Sequence, residues 1–124
     1  MARVLIAEDE HALRAFVARA LGEDGHEVIA TADGAEALEV LARHDTEFDL
    51  LLADIRMPVM DGIALALAAA RDHPRLTILL MTAYADQRER AHGLESLIHD
   101  VIAKPLSLSD LRAAVNRALL ARRV

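Results

Sequence analysis

Acidic, hydroxyl and lysine side chains that can bind a metal ion or a phosphoryl group each follow directly after an apolar run. Glu8 and Asp9 come after the letters VLIA, Asp54 after LLLA, Thr82 after TILLM and Lys104 after VIA. Carboxylates are preferred ligands of Mg²⁺, lysine supplies a point charge for phosphate oxygens, and threonine supplies a hydroxyl. An aspartate beside bound Mg²⁺ can attack a phosphoryl group and form an acyl phosphate. These residue types therefore predict a phosphoryl-transfer site, provided that the fold brings them together.

The three carboxylates would repel one another strongly at such a site. Two carboxylates about 5 Å apart repel by roughly 3 kcal/mol at an effective dielectric near 20. Three such pairs approach the ~5–15 kcal/mol stability of a whole domain, so a counter-charge is needed. Because Mg²⁺ suits a few carboxylates supplemented by waters and a phosphate, we predict that it binds Glu8, Asp9 and Asp54. The alternatives are solvated Glu8 and Glu10, an Asp9 that caps the first helix and an Asp54 that caps the following loop. Taken alone, Thr82 could equally be an ordinary threonine at a strand end, and Lys104 a solvated lysine.

Two hydrophobic periodicities alternate along the chain and predict five strands and five helices. The predicted strands are residues 4–7, 27–32, 50–53, 77–81 and about 101–103. The first predicted helix has one apolar face made of Leu13, Phe16, Val17, Ala20 and Leu21, and it ends at Gly22 and Gly25. The second covers about 35–43, the third 62–71, the fourth about 86–94, and the fifth opens at Ser107, which has capping-box spacing to Asp110.

Strands that alternate with helices predict an α/β fold with a parallel sheet and helices on both faces. We predict a flavodoxin-like, doubly wound sheet of five strands in the order 2-1-3-4-5, in one domain over residues 1–124. Ligands of such sheets bind beyond the carboxyl ends of the strands, at the switch point between strands one and three. Glu8, Asp9 and Asp54 would then share one crevice, with Thr82 and Lys104 along its other side. Asp54 is the predicted phosphoryl acceptor because it lies between these two groups.

The composition excludes several other classes of protein. A formal charge of −6 argues against broad nucleic-acid binding, which requires many cations facing phosphates. No stretch approaches the ~20 uncharged apolar residues of a membrane span, so no membrane association is expected. The chain starts without a signal-peptide pattern and has no cysteine, which excludes disulfides and thiolate metal sites. We expect a cytoplasmic protein.

Four motifs, "VLIAEDE", "DLLLADIRMPVMDG", "LLMTAYA" and "VIAKPL", stand in the same order and at similar intervals in a known family. Over essentially its whole length the chain resembles the receiver domain of bacterial two-component response regulators, the CheY-like group. The resemblance implies that a histidine kinase or phosphotransfer protein phosphorylates Asp54, with Glu8 and Asp9 as the acidic pair for Mg²⁺. It also implies a metal contact from the backbone carbonyl of Arg56.

The same resemblance assigns roles on the other side of the crevice. Thr82 and Lys104 would bind the phosphoryl group, and the Lys104-Pro105 peptide bond would be cis. A receiver domain is a signalling module that catalyses only its own phosphotransfer and autodephosphorylation. Its output would pass to an effector protein through the face made by the fourth helix, fifth strand and fifth helix.

One position departs from the family pattern. Receiver domains usually carry a tyrosine or phenylalanine three residues before the lysine, as a switch that moves with the threonine, and here that position is Val101. The aromatic nearest to Thr82 is Tyr84, so Thr82, Tyr84 and Val101 are the candidate switch residues. An aromatic so placed, with "RERAHGLESLIHDVIAKP", resembles the CpdR group of single-domain regulators, which act in regulated proteolysis during the alphaproteobacterial cell cycle.

Two other functions compete with this interpretation. Haloacid-dehalogenase-type phosphatases also form an aspartyl phosphate on a parallel sheet, but they carry a second aspartate where this chain has Arg56. A flavin-binding module needs a phosphate-binding loop after the first strand, where the letters AEDE would repel phosphate. The six histidines show no i, i+4 pair and are expected at the surface rather than at a metal.

Overall fold

Five short strands form one all-parallel sheet, in a computed structural model that describes residues 2–43, 47–83, 91–104 and 106–121. The strands are β1 (Arg3–Ala7), β2 (Glu27–Thr31), β3 (Leu50–Asp54), β4 (Thr77–Thr82) and β5 (Asp100–Ala103). Their order across the sheet is β2-β1-β3-β4-β5. This confirms the predicted fold class and strand order, and each predicted strand boundary lies within one residue of the observed one.

Four α-helices accompany the sheet within the described part of the chain. They are α1 (His11–Glu23), α2 (Gly34–Arg43), α3 (Gly62–Asp72) and α4 (Leu108–Ala121). The helix predicted over 86–94 falls largely on residues 84–90, which are outside the described residues, and its described end is a 3₁₀ helix, His92–Leu94. The helix named α4 is therefore the fifth helix of the sequence prediction.

The two faces of the sheet are buried against different helices because side chains alternate along a strand. In β1, Val4 and Ile6 belong to the core under α1 and α4, whereas Leu5 and Ala7 belong to the core under α2 and α3. Strand β3 is buried at every position, as a central parallel strand should be. Burying a leucine or isoleucine fully contributes about 1.5–3 kcal/mol, so these two cores position the strand ends firmly.

The observed helix ends and buried helix faces agree with the sequence prediction, with two exceptions. Val17 and Leu21 are buried as predicted, but Phe16 is 38% exposed, because it lies at the edge of the buried stripe. Gly25 has a φ of +90° and provides the left-handed exit from α1, whereas Gly22 lies inside the helix. At the start of α4 the Ser107 hydroxyl accepts the N–H of Asp110 at 3.0 Å, as an N-cap does.

None of the helices in the described segments is both long enough and apolar enough to cross a bilayer.

The connection from β3 to α3 holds the chain close to Asp54. Asp61 caps α3 by accepting the N–H of Ala64 at 2.9 Å, and the N–H of Gly62 donates to the carbonyl of Ile55 at 2.8 Å. A Cβ on Gly62 would lie 2.2 Å from the carbonyl oxygen of Asp54. Glycine is therefore required at position 62, and the backbone that carries Asp54 is packed directly against the start of α3.

Replacing Gly62 by alanine should destabilise the protein by about 1–3 kcal/mol or more, because the backbone at Asp54 must move to admit the methyl group. Gly22→Ala is the matched control: its Cβ would meet nothing within 4 Å, and its helical conformation favours alanine by up to about 1 kcal/mol. Urea unfolding followed by far-UV circular dichroism measures both. Equal stability of Gly62→Ala and the wild type would contradict the close packing of Gly62 against the backbone of Asp54.

Candidate functional site

The carboxyl ends of β1, β3, β4 and β5 meet at an open cleft of about 700 Å³. Residues 8–10, 54, 56–58, 83 and 104 line it. Five of the predicted site residues are among them: Glu8, Asp9, Asp54, Arg56 and Lys104. Thr82, which was predicted to bind the phosphoryl group with Lys104, is buried at the end of β4, immediately before the lining residue Ala83. The sheet order thus brings together side chains that are up to 96 positions apart in the chain.

Lys104 bridges the two buried carboxylates of the cleft. Its Nζ lies 2.9 Å from Oε1 of Glu8 and 2.9 Å from Oδ2 of Asp54. The Glu8 side chain is fully buried, and those of Asp54 and Lys104 are 8% and 15% exposed. Buried charges are tolerated when they are paired and hydrogen-bonded, and Lys104 meets both conditions for the two acids.

Burial and ion pairing act on the two groups in opposite ways. Burial raises the pKa of Glu8, although hydrogen bonds from the Glu10 backbone N–H and from Lys104 act against that rise. Burial also opposes the charge of Lys104, but its hydrogen bonds with Asp54 and Glu8 outweigh that effect and raise its pKa. Lys104 therefore stays protonated at neutral pH.

Asp9 is exposed at the cleft and lies close to both buried acids. Carboxylate oxygens of Glu8, Asp9 and Asp54 lie within 4.8 Å of one another, a spacing at which one cation can contact all three. The alternative role of Asp9 as the cap of α1 is not what the structure has, because Glu10 is the N-cap and makes no side-chain capping bond. Among the described residues, Glu8, Asp9 and Asp54 are the acidic or histidine side chains that are spaced closely enough to hold a metal ion together. Three hard oxygen donors fit Mg²⁺.

The two oxygens of Asp54 have different surroundings. Oδ2 receives the charged hydrogen bond from Lys104 at 2.9 Å. Oδ1 lies 3.4 Å from the backbone N–H of Arg56, which is long for a hydrogen bond. Among the described residues, this long contact is the one bond of that kind, so the alternative in which Asp54 mainly caps its own loop is weak.

Thr82 and Lys104 are joined through the main chain. The Lys104 N–H donates to the carbonyl oxygen of Thr82 at 2.8 Å, which fixes the end of β4 against the residue after β5. Val101 is half-buried on β5 and packs against the core under α2 and α3. Tyr84 and Pro105 lie outside the described residues, so the Tyr84 switch and the cis peptide stay predictions.

Two features of the cleft were not predicted from the sequence. Glu10 lines it and holds Glu8 in place, since the backbone N–H of Glu10 donates to Oε2 of Glu8 at 3.0 Å. Arg14 reaches back from α1 to the carbonyl oxygen of Glu8 at 2.9 Å. The sequence does place an arginine one helical turn after Glu10, but an arginine at such a position is equally typical of a solvent-exposed helix surface.

A doubly wound parallel sheet with an acidic cleft at its carboxyl edge is the architecture of CheY-like domains. The receiver domain protein (CheY-like) from Methanospirillum hungatei JF-1 superposes with a TM-score of 0.89 at 27% identity, covering 99% of this chain and 97% of that one. Residues 4–116 match the response regulator receiver domain family, and the chain belongs to that family.

Individual members of the family differ in how much of their length this chain matches. The response regulator receiver protein CpdR of Brucella abortus is 37% identical over 121 residues, 98% of this chain and 99% of that protein, which confirms the predicted resemblance. The response regulator TrrA of Thermotoga maritima, solved in complex with Mg(2+)-BeF, matches with a TM-score of 0.84 at 27% identity, covering 96% of this chain and 100% of that one. Several other curated relatives are about four times as long as the matched region. The comparisons give no support to the phosphatase alternative.

The raised pKa of Glu8 predicts a pH dependence of stability. Between its ordinary value of about 4.5 and the raised value, the folded protein binds more protons at Glu8 than the unfolded chain does. Stability contributed by Glu8 is therefore present below about 4.5 and is lost as the pH rises through the folded-state pKa. In the presence of a chelator, the unfolding free energy of Glu8→Gln should rise relative to wild type from pH 4 towards 7.

Urea unfolding at a series of pH values measures this difference. Glu39→Gln, an exposed charge on α2, controls for the loss of one negative charge. If the unfolding free energy of Glu8→Gln minus that of the wild type stays constant or falls as the pH rises, the pKa of Glu8 is not raised.

Proposed function

We propose that this chain is a Mg²⁺-dependent phosphoacceptor, in which Asp54 takes a phosphoryl group from a histidine kinase or a histidine phosphotransfer protein. The observation that carries the proposal is the setting of Asp54 between two different groups. Lys104 contacts one of its oxygens at 2.9 Å, and the oxygens of Glu8 and Asp9 lie within 4.8 Å on the acidic side. Both a cation and a phosphoryl group can then approach Asp54 from the open cleft.

The transfer requires that one Asp54 oxygen attack phosphorus in line with the donor histidine. An O–P bond forms as the P–N bond to the imidazole breaks, and the electron pair remains on the imidazole nitrogen. Lys104 would move its hydrogen bond from Asp54 to the phosphoryl oxygens, and the hydroxyl of Thr82 would be the second donor. Mg²⁺ held by Glu8, Asp9, Asp54 and the carbonyl of Arg56 would neutralise charge on the transferred oxygens. That TrrA was solved in complex with Mg(2+)-BeF supports a site in this fold that takes Mg²⁺.

The signal would leave the domain through protein contacts rather than through an enzymatic product. Phosphorylation adds roughly −1.5 to −2 charge beside Thr82, which draws its hydroxyl inward. Val101 and Tyr84 are the residues that would register this movement, and the surface of the predicted fourth helix, β5 and α4 would present it to an effector. From the resemblance to the CpdR group, which agrees with the 37% identity to the Brucella abortus protein, we further propose a role in regulated proteolysis or the cell cycle. Measuring phosphotransfer from purified histidine kinases to this protein would identify its phosphoryl donor.

Asp54→Asn should abolish labelling by acetyl phosphate in the presence of Mg²⁺, because the amide cannot act as the nucleophile. Intact-protein mass spectrometry should find one phosphoryl group on the wild type and none on the variant. Asp72→Asn, an exposed aspartate at the end of α3, is the matched control and should label normally. Labelling of Asp54→Asn at the wild-type level would place the acceptor elsewhere.

Asp9→Ala should increase the Mg²⁺ concentration for half-maximal labelling by about tenfold or more, which corresponds to about 1.4 kcal/mol of binding free energy. The reason is that one of three carboxylates is lost from the metal cluster. Glu10→Ala removes the neighbouring exposed carboxylate of the same cleft and should have a much smaller effect. Identical Mg²⁺ titrations for Asp9→Ala and wild type would remove Asp9 from the metal site.

A further inference from the structure

Arg14 is half-buried in the first turn of α1, and its guanidinium contacts the loop that carries the acidic pair. Nη1 donates to the carbonyl oxygen of Glu8 at 2.9 Å, and Nη2 lies 3.1 Å from Nδ1 of His11. Its backbone N–H donates to the carbonyl of Glu10 at 2.9 Å, as expected for the first turn of a helix. The side chain is therefore anchored at two points, one in the helix and one in the strand end.

The carbonyl that Arg14 contacts belongs to the peptide unit between Glu8 and Asp9. That peptide unit is planar, so fixing its oxygen also fixes the direction in which the chain enters Asp9. The N–H of Glu8 donates to the carbonyl of Thr31 at 3.0 Å, and the N–H of Glu10 donates to the Glu8 carboxylate at 3.0 Å. These bonds hold the residues on either side of Asp9, while Arg14 holds the peptide plane that leads into it.

Asp9 is the metal-cluster residue that most needs such support. Glu8 and Asp54 are buried and both contact Lys104, whereas Asp9 is exposed and follows the end of the strand. A metal ligand that is already oriented binds its ion more tightly, because less conformational freedom is lost on binding. The charge of Arg14 acts in the other direction, since a cation near the site repels Mg²⁺. The geometric and electrostatic effects of Arg14 can therefore be separated by experiment.

We propose that Arg14 is a positioning residue for the metal site: its guanidinium fixes the Glu8–Asp9 peptide plane and so holds the Asp9 carboxylate near Asp54 before Mg²⁺ binds. This inference rests on the proposed function and adds to it a residue that touches neither the metal nor the phosphoryl group.

Arg14→Lys tests the geometry because lysine keeps the charge but lacks the planar, forked donor. Arg14→Met removes both the charge and the forked donor. Arg19→Lys, on the exposed face of the same helix, is the matched control. His11→Ala removes only the second anchor of the guanidinium. For each variant, acetyl-phosphate labelling is titrated with Mg²⁺, at a temperature where circular dichroism shows the protein fully folded in chelator.

Arg14→Lys should require about tenfold more Mg²⁺ for half-maximal labelling, the usual size of an effect from a residue that orients a metal ligand. Its labelling rate at saturating Mg²⁺ should approach that of the wild type, because the bound metal orders Asp9 itself. His11→Ala should shift the half-saturation point in the same direction by less, and Arg19→Lys should not shift it. Calorimetric titration with Mg²⁺ alone should give the same ranking.

An unchanged half-saturation point in Arg14→Lys would overturn the proposal. Tighter Mg²⁺ binding in Arg14→Met with no change in Arg14→Lys would show that only the charge matters, which also overturns it. A lost rate at saturating Mg²⁺ with normal half-saturation would assign Arg14 to the transfer step instead. Labelling of the wild type that is independent of Mg²⁺ would refute the proposed function itself, and that outcome is visible before any variant is compared.

Discussion

The contact of Lys104 with both Glu8 and Asp54 determines how this fold can carry so much negative charge in one place. Two buried carboxylates and the exposed Asp9 stand at the carboxyl edge of the sheet, where they repel one another. Lys104 lies within 2.9 Å of both buried acids and offsets part of that repulsion. Removing one partner of a buried pair leaves an uncompensated charge and typically costs about 3–5 kcal/mol. The offset is incomplete because Lys104 contacts two of the three carboxylates, and the remaining negative charge favours the binding of a divalent ion.

The sheet supplies the precision that this arrangement needs. Glu8, Asp54 and Lys104 are placed by three different strands, whose register is fixed by two cores of buried side chains. Asp54 is the last residue of the fully buried β3, and the backbone of Gly62 is packed against its carbonyl. In the proposed transfer, a carboxylate held in this way would lose little freedom on reacting, which would favour a defined line of approach for the donor phosphoryl group.

Much of this architecture could be predicted from the sequence because the signals are local and repeated. Strand periodicity, glycine and capping residues gave the element order, and the order alone placed Glu8, Asp54 and Lys104 at one edge. What could not be predicted depends on distances between elements: that Lys104 contacts both acids, that Glu10 donates through its backbone, and that Arg14 reaches Glu8. Phe16 lies on the predicted apolar face of the first helix and yet is exposed, because periodicity marks the direction of a face but not its width. Arg14 donates to a backbone carbonyl oxygen. Because every residue has such an oxygen, the sequence does not indicate which one an arginine will contact.

A double-mutant cycle on Lys104 and Asp54 tests the central interaction most directly. The unfolding free energies of wild type, Lys104→Met, Asp54→Asn and the double variant are measured by urea denaturation, with chelator and with Mg²⁺. With chelator, Lys104→Met should destabilise the wild type by at least about 1 kcal/mol more than it destabilises Asp54→Asn, since without the aspartate charge less repulsion needs to be offset. Mg²⁺ should reduce that coupling because the ion takes over part of the neutralisation. Effects that add within about 0.3–0.5 kcal/mol in chelator would show that Lys104 does not stabilise the charge of Asp54.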